Sequence, residues 1–398
     1  MTALPGSEHG GPAGPPGPMK VLLVILHADP ARGGAELYAC HLADRLTAAG
    51  HAVSIAAATF AGVVPPRQRV PIEFDGTTRT ARYKSFCNGL KRHVKANDYD
   101  VVHAMLPVPG CDIYHPQAGV ETIRLKSGTA GKRFWGMIDF KRQAFARVEQ
   151  RMLEGDRPPL VICMSERSRC ETAEHFAIDA ARLVTLYNGS DDRRFDPDRV
   201  AGKARGDGAT GAAGAGNGAP RRPTLLFVGH DYARKGLDTA IAALAGVPGA
   251  VLRVLGNQKP GRFAQLARAA GVSDRVQFAG PTPRVQEELA SADALLLPAR
   301  FEPFGMVVIE AMLMGVPPIV SGLAGAAEVV RDGVDGQVVP SPDDAPAWTD
   351  AINRVLAARD AMRDACLARR GELSYDQHLQ KLLAVYARVV HERAVPRA

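Results

Sequence analysis

Two glutamates eight positions apart stand out in the stretch FEPFGMVVIEAMLMG. Pro303 and Gly305 are typical of a loop, and the apolar residues after them predict a short helix from Met306 to Met314. Glu302 then lies in the loop, whereas Glu310 lies inside the helix, about 7 Å along the axis from its start. We therefore expect that a single ligand could touch both carboxylates.

The apolar neighbours of Glu310 indicate the chemistry of that ligand. A carboxylate on such a helix would lose hydration unless it accepted hydrogen bonds. The vicinal hydroxyls of a ribose are suitable donors, with a diphosphate at the start of the helix and a sugar hydroxyl within reach of Glu302. The alternative is an acid that faces solvent, although a nearly all-apolar helix offers little solvated surface.

Small and basic residues precede predicted helices in both halves of the chain. Arg234 and Lys235 could neutralise a diphosphate leaving group, the guanidinium through two hydrogen bonds and the ammonium as a compact charge. A solvated turn would explain them equally simply. Gly33 and Gly34 could expose backbone amides to a phosphate, or could serve only as a tight turn.

Strands and helices alternate along the chain and must position these residues. The run KVLLVILHA predicts a strand buried on both faces, and AELYACHLADRLTAAGH after it predicts a helix. The same alternation returns after TLLFVGH in the second half. We therefore predict an α/β fold of two doubly wound, Rossmann-like domains that face a central cleft, where ligands of such sheets normally bind.

A length of 398 residues is enough for two domains. Residues 1–18 are rich in glycine and proline and predict a disordered tail, followed by an N-terminal domain over 19–200. The Gly/Ala-rich segment 201–223 predicts a linker or loop. A C-terminal nucleotide-sugar-binding domain is expected over 224–374 and a final helix within 375–398.

The composition limits the partners and the cellular location. A net charge of +7 favours anionic partners, and six widely spaced cysteines favour a reducing cytoplasm. No run of about 18 uncharged apolar residues occurs, so we expect no membrane-spanning helix. Residues 124–152 mix cations with aromatic residues and could touch an anionic membrane surface, or could form an amphipathic helix packed on its own domain.

Several motifs together resemble the retaining glycosyltransferases of family four, over nearly the whole chain from residue 19 onward. They are E-P-F-G-x-x-x-x-E, G-G-A-E at 33–36, R-K-G at 234–236, and G-V-P-P-I-V-S followed by E-V-V-R-D-G. The resemblance implies the GT-B fold, no metal cofactor and a final helix that crosses back onto the N-terminal, acceptor-binding domain. The D-x-D strings at 98–100 and 196–198 are the alternative metal ligands.

A closer similarity is to lipopolysaccharide core transferases that move glucose from a UDP-sugar to heptose. It rests on P-G-C-D-I-Y at 109–114, Y-A-R-K-G-L-D at 232–238 and G-N-Q-K-P at 256–260. This chain has Pro-Gln-Ala-Gly at 116–119 where those enzymes have an acid, so its donor or acceptor sugar can differ.

The resemblance also implies residue roles. Glu310 would bind the ribose hydroxyls, Glu302 the donor sugar, and Arg234 with Lys235 the leaving phosphate. The other expected substrate-binding residues are Gly33, Gly34, His103, Gly229, Gln258, Lys259, Gly305, Met306 and Val307. Residue type alone allows His103 to be either a donor-sugar contact or a satisfied loop histidine.

These observations predict a cytoplasmic, metal-independent retaining hexosyltransferase. It would move a hexose, glucose as the similarity to the core transferases implies, from a UDP-sugar to a lipopolysaccharide-core-like or other glycan at the inner membrane face. The alternatives are a nucleotide-sugar epimerase of the same fold, an inactive transferase, or a non-enzymatic basic protein that binds lipid or nucleic acid. No nucleic-acid-binding motif is present, and nucleic acid is not an expected partner.

Overall fold

The structure is a computed structural model that describes residues 17–126, 140–206 and 221–394. Most of the predicted tail and most of the predicted linker lie outside the described residues. So does much of segment 124–152, for which a membrane contact was predicted. In the described part, no helix is both long and apolar enough to cross a membrane.

The chain divides into two compact units. Among the described residues, unit 1 contains 17–116, 140–161 and 379–394, and unit 2 contains 117–126, 162–206 and 221–378. The boundaries expected from the sequence near residues 200 and 224 stay predictions.

Unit 1 is built on a parallel sheet. This first sheet and a separate strand pair contain β1 Lys20–Val24, β2 His27–Ala28, β3 Ala52–Ala57, β4 Thr59–Phe60, β5 Arg69–Pro71, β6 Val101–Ala104, β7 Ile113–Tyr114, β8 Leu160–Cys163 and β9 Leu183–Thr185. Of these, β9 and the last two residues of β8 fall within unit 2. The sheet order is β5-β3-β1-β6-β7-β8-β9, with β2 and β4 paired separately. Strand β1 pairs in parallel with both β3 and β6, and its residues from Val21 to Val24 are fully buried. Burial on both faces explains why this strand is a continuous apolar run.

The α-helices alternate with the strands along much of the chain. In chain order they are α1 Gly34–Ala48, α2 Arg79–Ala96, α3 Glu121–Lys126, α4 Phe140–Leu153, α5 Glu166–His175, α6 Pro197–Gly206, α7 Leu237–Leu244, α8 Gly261–Ala269, α9 Val285–Ala290, α10 Met306–Leu313, α11 Ala345–Ala357, α12 Arg359–Ala368, α13 Arg370–Leu373 and α14 Tyr375–Ala394. Short 3-10 helices cover Pro66–Gln68, Ala180–Arg182, Ser273–Arg275 and Gly325–Glu328.

Unit 2 contains a six-stranded parallel sheet with a reversal in its strand order. Its strands are β10 Thr224–Val228, β11 Val251–Leu255, β12 Val276–Gly280, β13 Ala294–Leu297, β14 Pro318–Ser321 and β15 Gln337–Val339. The order is β12-β11-β10-β13-β14-β15, so the chain builds outward from β10 on one side and from β13 on the other. The loops after these two neighbouring strands therefore border the crevice where doubly wound sheets bind ligands. The predicted α/β class is confirmed.

Helix α10 belongs to the core of unit 2. Val308, Ile309 and Met312 are fully buried in an apolar cluster that also includes Leu295 and Leu297 of β13. Burying each large apolar side chain contributes about 1.5–3 kcal/mol, which fixes this helix firmly against the sheet. Any polar group carried by α10 is therefore held in a defined place.

All six cysteines are free, and they differ in exposure. Cys170 on α5 is exposed and Cys87 on α2 is half-buried, whereas Cys40, Cys111, Cys163 and Cys366 are buried. Burial raises the pKa of Cys40 and of Cys87 to about 11, so these thiols stay protonated at neutral pH.

Candidate active site

The three predicted catalytic residues lie together at the reversal of strand order in unit 2. Lys235 Nζ is 3.1 Å and Arg234 Nη1 is 3.2 Å from the same oxygen, Oε2 of Glu302. The two cations belong to the loop after β10, and the acid belongs to the loop after β13. The Glu302 side chain is only 13% exposed, so these charges interact in surroundings with little water.

The electrostatics of Glu302 follow from this arrangement. Burial alone would raise its pKa, but the charges of Lys235 and Arg234, and their hydrogen bonds, outweigh burial and hold the pKa of Glu302 below its ordinary value. Glu302 is therefore ionised at neutral pH.

Further contacts hold the two loops together. Arg300 donates to both carboxylate oxygens of Asp238, at 2.9 and 3.0 Å, and its backbone N–H donates to the carbonyl of Arg234 at 2.9 Å. Gly236 has a φ of 77°, and a Cβ at this position would lie 1.9 Å from the carbonyl oxygen of Pro298. Only glycine permits this close approach of the backbones.

The start of helix α10 adjoins Glu302. Gly305 precedes the helix with a φ of 103°, and no side chain caps the helix start. A Cβ at Gly305 would lie 3.3 Å from Cγ of Glu302. Since the first amides of a helix have no intrahelical partner, those of Met306 and Val307 can receive an anion.

Glu310 lies on helix α10, and its pKa is shifted in the opposite direction from that of Glu302. Burial raises the pKa of Glu310 to about 7, and the positive charges of Arg194 and Lys235 offset that rise only in part. Within the described part of the chain, no hydrogen bond or ion pair reaches its carboxylate. Such a group can accept hydrogen bonds from a ligand. Arg194 was not anticipated, because its sequence context DDRRF carries no local signal for that role.

The other predicted substrate-binding residues of unit 2 flank the loop after β10. Gly229 follows β10 directly, and a Cβ on it would lie 2.2 Å from Cδ of Lys235. Gln258 and Lys259 are exposed, and Oε1 of Gln258 accepts a hydrogen bond from the backbone N–H of Tyr232 at 2.9 Å. Their predicted contacts with a nucleotide sugar stay predictions.

The remaining predicted residues belong to unit 1. Gly33 precedes α1 in an extended conformation without a side-chain cap, and the Cα of Gly34 faces open space. His103 on β6 is fully buried: its Nδ1 lies 2.7 Å from the Tyr386 hydroxyl and its Nε2 lies 3.2 Å from Nδ1 of His115. A donor-sugar contact of His103 stays a prediction.

An open cleft lies beside Glu302 in unit 2. We call two groups of its lining residues the loop side and the helix side. The loop side consists of Phe301, Glu302, Pro303, Leu323 and Gly325. The helix side consists of Ser165, Arg167, Ser168 and Glu171, at and after the start of α5. The helix side was missed from the sequence, although Ser165 directly before a polar helix is a typical N-cap signal.

Comparison with known families agrees with this fold. A model described as Glycosyltransferase Family 4 matches residues 32–194, and one described as Glycosyl transferases group 1 matches residues 215–369. The two models together span more than half of the chain. The protein therefore belongs to the family-four glycosyltransferases of the GT-B fold, and the resemblance seen in its motifs is confirmed.

The individual relatives have low sequence identity to this chain. The chain is 24% identical over 330 residues to the lipopolysaccharide glucosyltransferase WaaG of Escherichia coli (strain K12), covering 81% of this chain and 86% of that protein. It is 27% identical over 429 residues to a D-inositol 3-phosphate glycosyltransferase of Nocardia farcinica (strain IFM 10152), covering 94% and 90%. The crystal structure of WaaG, a glycosyltransferase involved in lipopolysaccharide biosynthesis, superposes with a TM-score of 0.75 at 22% identity, covering 92% and 99%. At this identity the superposition shows a shared fold.

Proposed function

We propose that the protein is a retaining, metal-independent hexosyltransferase that uses a UDP-sugar as donor and a glycan as acceptor. The observation that carries this proposal is the convergence of Arg234 and Lys235 on Glu302 beside the uncapped start of α10. A site with two cations and free helix amides suits a diphosphate, and an acid at its edge suits a sugar hydroxyl.

The nucleotide would lie along α10. Glu310 would accept hydrogen bonds from the ribose hydroxyls, and the diphosphate would meet the amides of Met306 and Val307. Glu302 balances the charge of the two cations. When the diphosphate arrives, Lys235 and Arg234 gain a second anionic partner, and Glu302 gains hydroxyls of the donor sugar.

The reaction would need no side chain as a general base. The bond between C1 of the sugar and the phosphate oxygen breaks, and its electron pair leaves with the nucleoside diphosphate. The acceptor oxygen forms the new bond to C1 on the same face, and its proton passes to the departing phosphate. Lys235 and Arg234 would stabilise the negative charge that develops on that phosphate, which is typically the largest catalytic contribution.

The acceptor class follows from the relatives only in outline. One is named for lipopolysaccharide and another for D-inositol 3-phosphate, so a lipid-linked glycan and a phosphorylated polyol are both worth testing. We favour a lipopolysaccharide-core-like glycan and glucose as the donor sugar, because of the P-G-C-D-I-Y and G-N-Q-K-P motifs. A location on the cytoplasmic face of the membrane would bring the enzyme to such an acceptor.

A donor screen tests the function directly. Purified protein is incubated with UDP-, GDP- and ADP-glucose and their galactose counterparts, in EDTA and with or without added glycan or inositol phosphate. We expect nucleotide release from UDP-sugars, and a product whose anomeric configuration, read by NMR, matches the donor. Release of an epimerised UDP-sugar without transfer, inversion at C1, or activity only with added metal would each contradict the proposal.

A further inference from the structure

Another acid in unit 2, Glu328, is hydrogen-bonded to the start of helix α5. Its Oε2 accepts a hydrogen bond from the backbone N–H of Glu166 at 2.6 Å, and its Oε1 accepts one from the N–H of Arg167 at 2.8 Å. The Tyr187 hydroxyl donates to Oε2 at 3.0 Å. One carboxylate thus accepts hydrogen bonds from two of the free amides of α5. Its negative charge also interacts favourably with the positive end of the helix dipole.

The Tyr187 hydroxyl, the third donor to Glu328, keeps its proton at neutral pH. Burial, and after it the negative charge of Glu328, raises the pKa of Tyr187 to about 12. Tyr187 therefore remains a hydroxyl that can donate to Glu328. Although Glu328 is exposed, three hydrogen-bond donors hold its carboxylate in a defined position.

Gly325 and Ala326, in the segment before Glu328, are hydrogen-bonded to the loop after β13 that carries Glu302. The N–H of Gly325 donates to the carbonyl of Glu302 at 3.0 Å, and the N–H of Ala326 donates to the carbonyl of Phe304 at 2.8 Å. A Cβ on Gly325 would lie 2.2 Å from the carbonyl oxygen of Pro303, so the two backbones are in direct contact. A displacement of the 325–328 helix would therefore move the loop that carries Glu302.

The hydrogen bonds of Glu328 to α5 and those of Gly325 and Ala326 to the loop after β13 together connect the helix side and the loop side of the cleft. Glu328 holds the start of α5, from which Ser165, Arg167 and Ser168 line the helix side. Its own helix holds Glu302 and Pro303 on the loop side. Arg167 Nη1 adds a longer contact to the carbonyl of Gly322 at 3.4 Å. No other described carboxylate joins the backbone of α5 to this segment.

We propose that Glu328 is a positioning residue that sets the width of the cleft beside Glu302, and thereby the placement of the sugar at that acid. The inference rests on the proposed function, since the cleft is taken to hold the transferred sugar or the acceptor hydroxyl. Glu328 itself touches neither the nucleotide nor the reacting atoms. Its effect is on turnover, whereas the nucleotide contacts of Glu310 and of α10 are independent of it.

The test compares wild type with Glu328→Gln, whose amide group can accept from one of the two backbone donors but not from both. We expect turnover of UDP-sugar, measured as UDP release without acceptor, to fall about tenfold or more. The dissociation constant for UDP, measured by calorimetry, should stay within about twofold.

Tyr187→Phe removes one of the three hydrogen bonds to Glu328, and we expect a smaller loss of turnover. Glu288→Gln, which breaks an ion pair with Arg253 away from the cleft, is the matched control and should keep wild-type turnover.

Hydrogen exchange gives a readout that does not depend on activity. In Glu328→Gln, amide exchange should accelerate at Glu166 and Arg167 and also at Gly325 and Ala326. Faster exchange confined to α5, unchanged turnover, or a parallel loss of UDP affinity would overturn the inference. If wild type releases nucleotide from no donor, the proposed function fails, while the exchange measurement still decides whether Glu328 couples the two sides.

Discussion

The side chain of Lys235 lies directly over the Cα of Gly229, so that a Cβ at Gly229 would be 2.2 Å from Lys235 Cδ. The absence of a side chain at the end of β10 is therefore what allows the ammonium to reach Glu302. The relationship is local to unit 2 and can be tested without altering any charged group.

Gly229→Ala should displace Lys235 while leaving the fold intact, because the clashing atom belongs to a flexible side chain. We expect turnover of UDP-sugar to fall about a hundredfold, as for other small misplacements of a catalytic group. Steady-state UDP release is the measurement. Gly371→Ala, where a Cβ meets open space, is the control. Equal turnover of both variants would show that the position of Lys235 is unimportant.

Lys235→Ala should reduce turnover more than it reduces donor affinity, because the ammonium stabilises charge that grows as the phosphate leaves. The expected loss in kcat is about 100- to 1,000-fold. Kinetics and calorimetry with the same UDP-sugar separate the two effects, with the exposed Lys91→Ala as control. A loss that appears only in affinity would place Lys235 in ground-state binding instead.

Glu310→Gln should weaken nucleotide binding, because an amide is a poorer acceptor for two ribose hydroxyls than a carboxylate. Losing hydrogen bonds to a charged group corresponds to about 1.5–3 kcal/mol, or roughly 10- to 150-fold in the dissociation constant for UDP. Calorimetry above pH 8 gives the comparison, since wild-type Glu310 is then ionised. An unchanged dissociation constant would move the ribose away from α10.

The raised pKa of Glu310 also predicts how stability depends on pH. Its pKa is about 7 in the folded protein against an ordinary 4.5, so the folded state binds this proton more tightly than the unfolded state. The resulting stability is complete below about pH 4.5 and is lost as the pH rises through about 7. Without nucleotide, Glu310→Gln should exceed wild type by about 1–3 kcal/mol at pH 8 and match it near pH 5. Denaturant titrations at both values check this, and a difference independent of pH would contradict it.

Local patterns in the sequence were sufficient to predict helix α10 and the loop before it. Pro303, Gly305 and Gly315 mark the ends of α10, and that helix was predicted with nearly the observed bounds. The roles expected of Arg234 and Glu302 stay predictions, and the sequence did not reveal the ion pair between them. Their meeting depends on β10 and β13 being neighbours, and strand order is a property of the sheet that local periodicity does not encode.

Long-range contacts account for what was missed. The sequence left His103 open between a donor-sugar contact and a satisfied histidine, and it did not reveal the contact with Tyr386, which is 283 positions away. Glu328 opens the E-V-V-R-D-G motif, but that motif does not reveal its partners, which lie at the start of α5 more than 160 residues earlier. A single acid in such a position cannot be distinguished from a surface residue until the tertiary packing is known.

The uneven exposure of the cysteines has a practical consequence. Cys170 on α5 is the exposed thiol of the six, and it lies one turn beyond the backbone groups that Glu328 binds. A maleimide fluorophore should attach there first, without removal of the other cysteines by mutagenesis. Its emission would then report, in real time and on the unaltered sequence, whether a substrate that enters the cleft disturbs the neighbouring helix.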